Sequence, residues 1–189
     1  MHYNVEPLRT RAEIDDFLWA VLQTHHGQRN RMIVLVGINT GLRMSDILKL
    51  TVGQVRNQDR VMIIEQKTGK KRWLFLKNLR AELLRYTRYR DANEPLFPSG
   101  RGKAAITVNG VYRVFQTAGR FLDRNDIGTH TLRKTFGYHY YQQTHDIAGL
   151  MMIFNHSSEQ VTKRYIGIER DNIERQLNDF VLGIYPNEA

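Results

Sequence analysis

The chain has 189 residues, 41% hydrophobic and 10% aromatic, which suits one globular domain and excludes a disordered segment. Lys and Arg number 28 against 19 Asp and Glu, a formal net charge of +9; this balance points either to a polyanionic partner such as nucleic acid or to a merely soluble basic surface. Cysteine is absent, excluding disulfides, thiol nucleophiles and cysteine-based zinc sites.

The N-terminus has no basic stretch leading into an apolar one, so no secretory signal is read. No apolar run approaches the roughly 20 residues that cross a bilayer, and the expectation is a cytoplasmic protein without membrane contact. Thr10-Arg-Ala-Glu13 has capping-box spacing and opens a helix with Ile14, Phe17, Leu18, Val21 and Leu22 on one face. A second helix is predicted over 29–39, stopped by Thr40-Gly41, and a third over 44–50 with Ile47, Leu48 and Leu50 inward. The runs 61–64 and 73–76 are β-rich and flank Glu65-Gln-Lys67-Thr-Gly69-Lys-Lys-Arg72, the pattern of a β-hairpin with a basic tip. Helices are predicted over 78–90, 107–122, 129–143 and 147–154, with a Pro- and Gly-containing loop at 93–102 and Met151 to Phe154 taken as core. Ser157 and Gln160 have the chemistry of another helix start, and that helix carries Tyr165 at its C-terminal end. A last amphipathic helix over 168–182 places Ile173, Leu177, Phe180 and Val181 on one side. No repeat or linker divides the chain. The expected fold is a single α+β domain, mainly helical, with a small antiparallel sheet packed on a helical bundle.

Several segments carry candidate chemistry, none decisive alone. Arg43 follows a glycine turn at a helix start, a place for a phosphate clamp or for a surface ion pair with Asp46. Lys67 lies in the hairpin tip, where it can meet a DNA backbone or donate a proton to a leaving oxygen, or simply be solvated. The Lys67-Thr-Gly-Lys run lacks Walker spacing, so nucleotide binding has no support. His130 and Arg133, three apart, share one helix face and can address one phosphate; the alternative is a histidine packed at a helix N-terminus and an arginine in solvent. His156 and Tyr165 lie within one further segment, and a tyrosine becomes a nucleophile when its proton is removed. The histidines lack metal-ligand spacing, so no metal is expected.

Taken in order, Arg43, Lys67, His130-x-x-Arg133, His156 and Tyr165 resemble the tyrosine recombinase (phage integrase) family. The matching stretches are Thr40-Gly-Leu-Arg43-Met-Ser-Asp-Ile-Leu48, Lys67-Thr-Gly-Lys70, Leu96-Phe-Pro98, Thr129-His-Thr-Leu-Arg-Lys-Thr-Phe136 and Asn155-His-Ser-Ser158 leading to Tyr165, together spanning about residues 10–182. The resemblance implies an integrase-type catalytic domain that breaks and rejoins double-stranded DNA, with no cofactor. It implies that Tyr165 attacks the scissile phosphate and leaves a 3′-phosphotyrosine. Arg43 and Arg133 then hold the non-bridging oxygens, Lys67 protonates the 5′-oxygen, His130 assists proton transfer at the tyrosine, and His156 donates to the phosphate. It further implies assembly as a homo-oligomer, a tetramer on DNA with the 168–182 helix packing in trans, and a monomer when free; the alternative for that helix is docking in cis on its own core.

Two departures stand out. Asn155 occupies a position where the family has glycine, and about nine residues precede the first helix, so an N-terminal core-binding domain is expected to be absent and DNA affinity to be weak and salt-sensitive. A type IB topoisomerase-like relaxer and a catalytically weak or inactive DNA-binding regulator remain as alternative functions. Intact Arg43, Lys67, His130, Arg133, His156 and Tyr165 argue against the regulator.

Overall fold

The capping box at Thr10 forms: the Thr10 hydroxyl accepts from the Glu13 N–H while the Glu13 carboxylate accepts from the Thr10 N–H. It opens α1 (Arg11–Leu22). This computed structural model describes residues 5–100 and 102–182. α2 (Gly27–Thr40) ends at Gly41, whose φ of +61° is the left-handed turn that glycine adopts without a Cβ penalty. A Cβ there would also sit 2.4 Å from the Phe136 ring, so this corner admits no side chain.

α3 (Met44–Ile47) is a single turn, shorter than the helix expected over 44–50, and α4 (Val52–Val55) was not anticipated. Thr51 restarts the chain with its own capping box to Gln54, and the Leu50 carbonyl accepts from the Leu96 N–H at 2.7 Å instead of continuing a helix. Ile47, Leu48 and Leu50 are nonetheless buried as expected. β1 (Arg60–Ile64) and β2 (Lys71–Phe75) pair antiparallel, with Met62 opposite Trp73. A 3₁₀ turn at Lys77–Leu79 leads into α5 (Arg80–Thr87). Then follow α6 (Val108–Phe121), α7 (Thr131–Thr144), α8 (Ile147–Phe154), α9 (Glu159–Ile166) and α10 (Ile168–Asn178). The cap of α9 is Ser158, one residue beyond the Ser157 expected, with its hydroxyl accepting from the Val161 N–H.

Two apolar clusters hold these elements. The larger joins α1, α2, α6 and the hairpin around fully buried Phe17, Phe97 and Phe115; the Phe17 and Phe115 rings meet edge-on at 5.2 Å. The smaller is built on Leu150, Phe154, Ile166 and Ile168, with Phe136, Tyr140 and Tyr165 packed against it. Gly137 lets α7 approach this cluster, because a Cβ there would stand 2.7 Å from both Ile166 and Phe154. Met152, read as core, is instead 83% exposed. It lies two residues from Leu150 and from Phe154, about 200° around α8 and so on the opposite face.

α10 stops at Asn178 rather than reaching residue 182. Its first residue, Ile168, is buried, while Ile173, Leu177, Phe180 and Val181 are exposed. Helices gain most of their stability from packing an apolar face, and this face has none on its own domain among the described residues. The start of α10 is held instead by charge: the Arg9 guanidinium forks onto the Asp171 carboxylate at 2.9–3.0 Å and also reaches Glu6. No helix among the described residues is long and apolar enough to cross a membrane.

Candidate active site

The six residues singled out along the sequence all line one cleft of about 450 Å³, together with Thr68 and Asn155. Five elements converge there. Arg43 is the N-cap of α3, just past the Gly41 corner. Lys67 sits in the turn between β1 and β2 and is exposed. His130 is the N-cap of α7, and Arg133 lies on its first turn. His156 follows α8 across Asn155, whose φ of +54° turns the chain sharply. Tyr165 is near the end of α9.

The two arginines differ in how they are held. Arg133 is 3% exposed; it donates to the Gly41 carbonyl at 2.5 Å and to the Phe154 carbonyl at 3.0 Å, and its guanidinium lies 4.2 Å over the Phe154 ring. Both carbonyls belong to helix C-terminal ends, where unpaired acceptors and the helix dipole favour a cation. Burial, with the neighbouring Arg43 and Arg72 behind it, pulls Arg133 down to about 10, so it is still a cation at neutral pH. Arg43 pairs at 3.0 Å with Glu65, not with Asp46. Glu65 is buried where the hairpin turn begins, and it also accepts from the Thr68 hydroxyl at 2.9 Å and faces Arg72 at 3.4 Å. Burial opposes its ionisation, yet these three partners outweigh burial and hold its carboxyl below the usual range. Asp46 is buried too, and one of its oxygens accepts from the Gln66 N–H at 2.8 Å, anchoring the hairpin turn.

His130 Nδ1 lies 3.1 Å from the Tyr165 hydroxyl. Desolvation in the cleft, and then the cations Arg133, Lys134, Arg43 and Lys67, lower the His130 pKa, so the imidazole is neutral at pH 7 and able to accept the phenolic proton. Desolvation raises the Tyr165 pKa, while Arg133 and Arg43 draw it back. The ring of Tyr165 is wedged edge-on to Phe154 at 5.6 Å and to His156 at 5.2 Å, which fixes where its oxygen points. His156 Nδ1 lies 3.1 Å from the buried Thr162 hydroxyl, a contact that orients the ring. Its pKa is lowered by desolvation, then by Arg133 and Arg43.

Sequence reading missed Glu65, Arg72 and the side chain of Asn155. A signal for the first two was present: Val61 and Ile63 are the inward positions of β1, Glu65 continues their alternation one residue past the strand, and Arg72 and Leu74 are the inward positions of β2. Period-two alternation puts a carboxylate and a guanidinium on the buried face of the hairpin, where they need each other.

The cleft concentrates cations around a tyrosine hydroxyl and its hydrogen-bond acceptor, an arrangement able to hold a phosphodiester and attack it. Comparison with known proteins identifies the family and the fold. The description "Phage integrase family" matches residues 9–171. The chain is 44% identical over 168 residues to the probable integrase/recombinase YoeC of Bacillus subtilis, covering 88% of this chain and 92% of that one. It is 28% identical over 183 residues to the tyrosine recombinase XerD of Pseudomonas aeruginosa, covering 90% of this chain but 57% of that protein. Among solved structures, XerH bound to its palindromic difH substrate superposes with a TM-score of 0.69 at 21% identity, over 94% of this chain and 53% of XerH. A lambda integrase dimer on a core site superposes with a TM-score of 0.64 at 18% identity, over 86% of this chain and 60% of that one. The chain thus spans almost all of one relative and little more than half of the Xer proteins. By family match, by identity and by fold, it belongs to the phage integrase family of tyrosine recombinases, with that family's catalytic-domain fold.

Proposed function

We propose that this domain cleaves and rejoins double-stranded DNA at specific sites by transesterification through Tyr165. The observation that carries the reading is the 3.1 Å approach of His130 Nδ1 to the Tyr165 hydroxyl in a cleft that also holds Arg43, Arg133, Lys67 and His156. The scissile phosphate sits between the two guanidiniums, which bind its non-bridging oxygens as charge gathers on them. The Tyr165 oxygen bonds to phosphorus as its proton passes to His130. The bond from phosphorus to the 5′-oxygen breaks as Lys67 gives that oxygen a proton. His156 donates to a phosphate oxygen. The product is a 3′-phosphotyrosine and a free 5′-hydroxyl. One ester replaces another, so the reverse step reseals DNA without nucleotide or metal.

The +9 charge suits a DNA partner, and solved relatives of this fold include XerH on its difH substrate and a lambda integrase dimer on a core site. The assembly proposed is a homo-oligomer on DNA, a tetramer for strand exchange, in which the unpartnered face of α10 with Ile173 and Leu177 packs on the neighbouring copy. Free protein is a monomer in the cytoplasm. The test is a nicked suicide duplex drawn from DNA flanking the encoding gene. Wild-type protein forms a denaturation-resistant adduct, and Tyr165→Phe forms none while binding DNA equally well. Absence of any adduct with binding intact overturns the reading in favour of a DNA-binding regulator. Plasmid relaxation without recombinants marks a topoisomerase.

A further inference from the structure

We infer that Arg72 and Asn155 are positioning residues that dock the β1–β2 hairpin tip onto the C-terminal ends of α2 and α8 and thereby deliver Lys67 to the leaving oxygen; the inference rests on the general-acid role given to Lys67 above.

The half-buried anchor is Arg72. Its guanidinium donates to the Thr40 carbonyl at 2.5 Å, to the Ile153 carbonyl at 3.4 Å and to Glu65 at 3.4 Å. Thr40 is the last residue of α2, and Ile153 is next to last in α8. Arg133 grips the following carbonyl on each, Gly41 and Phe154. A guanidinium from the hairpin and one from α7 are therefore seated side by side on the same two helix ends, so the frame of the hairpin is set against the arginine that faces the phosphate.

The exposed anchor is Asn155, whose side-chain oxygen accepts from the Lys70 ammonium. Asn155 occupies the left-handed position that closes α8, where glycine would serve the backbone equally well. A carboxamide there adds something the turn does not require, a hold on the hairpin. Within the tip, the Gly69 N–H bonds the Glu65 carbonyl at 2.9 Å and the Glu65 N–H bonds the Lys70 carbonyl at 3.0 Å. Lys67 thus lies between Glu65, held by Arg43 and Arg72, and Lys70, held by Asn155. A lysine on a flexible stem is an efficient proton donor only if its backbone is already in place.

Leaving-group chemistry separates this role from general support of the fold. A 5′-oxygen must be protonated as it departs, whereas a 5′-sulfur leaves as a thiolate and needs no proton. Adduct formation is measured with the full chain on two matched nicked duplexes, one ordinary and one with a 5′-bridging phosphorothiolate at the scissile position. Lys67→Ala is expected to be slow on oxygen and restored on sulfur. Asn155→Gly, which removes the carboxamide without backbone strain, is expected to slow the oxygen substrate roughly three- to tenfold, the scale of an exposed charge-assisted hydrogen bond, and to match wild type on sulfur. Lys70→Met should behave alike, and the double variant should be no slower than either single one. Arg72→Lys, which keeps charge but loses the fork, should show the same sulfur rescue with a larger loss on oxygen. Wild-type rates for Asn155→Gly on oxygen, or equal slowing on both substrates, overturn the inference. Lys67→Ala equally slow on both overturns the general-acid reading and the inference with it, while Lys67→Ala rescued and Asn155→Gly not rescued overturns the inference alone.

Discussion

Arg72 and Arg133 grip adjacent carbonyls, those of Thr40 and Gly41, each at 2.5 Å. One guanidinium comes from a β-strand and the other from α7, and the same two side chains reach the consecutive carbonyls of Ile153 and Phe154. The end of α2, the end of α8 and the start of α7 are thereby locked at one point, and the cleft is built around it before any substrate arrives. Such preorganisation is what phosphoryl transfer asks of a protein, since no solvent has to reorient as charge develops.

The two site arginines should therefore fail in different ways. Arg133→Ala leaves two helix-end carbonyls unpaired in a buried place, and is expected to cost about 2–4 kcal/mol in urea unfolding as well as abolishing adduct formation. Arg43→Ala leaves Glu65 with Arg72 and Thr68 as partners, so its stability cost is expected to be about 1–2 kcal/mol. For both, adduct formation should fall far more than non-specific duplex binding. Parallel losses of cleavage and binding would remove them from the proposed site.

The lowered pKa of His130 sets the sign of a pH profile. In the proposed mechanism neutral imidazole accepts the proton of Tyr165, so the rate of adduct formation should be level near pH 7–8 and fall as pH drops through a value below the usual 6.5. His130→Gln should lower the plateau and erase that acid limb. Stability has the same sign. His130 and His156 bind protons less readily folded than unfolded, so the stability they contribute is present above the unfolded pKa and lost as pH falls through the folded one. A urea midpoint that does not drop between pH 7 and pH 5.5, or drops equally in His130→Gln, contradicts this account.

Gly137 is a packing test. The Cβ of Gly137→Ala would lie 2.7 Å from Ile166 and from Phe154, and overpacking of this kind costs about 1–3 kcal/mol. Because α9 carries Tyr165, forcing α7 and α9 apart should also lengthen the 3.1 Å contact of His130 with Tyr165 and slow adduct formation. Unaltered thermal unfolding in Gly137→Ala would mean that the helices yield freely.

The exposed face of α10 separates folding from assembly. Ile173→Glu and Leu177→Glu alter residues that are 55% and 65% exposed, so the free domain should keep its stability within about 0.5 kcal/mol. Complexes of more than one copy on a single DNA, counted by sedimentation, should be lost. Retention of those complexes would place the oligomer contact elsewhere.

Elements closed by local chemistry were legible along the chain. Thr10 with Glu13 marks the start of α1 and Gly41 the end of α2, because capping and left-handed turns depend on residues a few positions apart. The ordered series from Arg43 to Tyr165, singled out by its resemblance to a family, is brought into one cleft. Who holds those members was decided by the tertiary structure. Arg43 pairs with Glu65 across 22 positions rather than with nearby Asp46; Arg72, read only as part of a basic hairpin tip, is half-buried against two helix ends; Met152, taken for core, faces solvent. Each of these depends on which face a neighbouring element covers. Burial raises the cost of an unpaired charge far above its cost in water, so partners are chosen by what is enclosed together in space, and spacing along the chain carries no record of that.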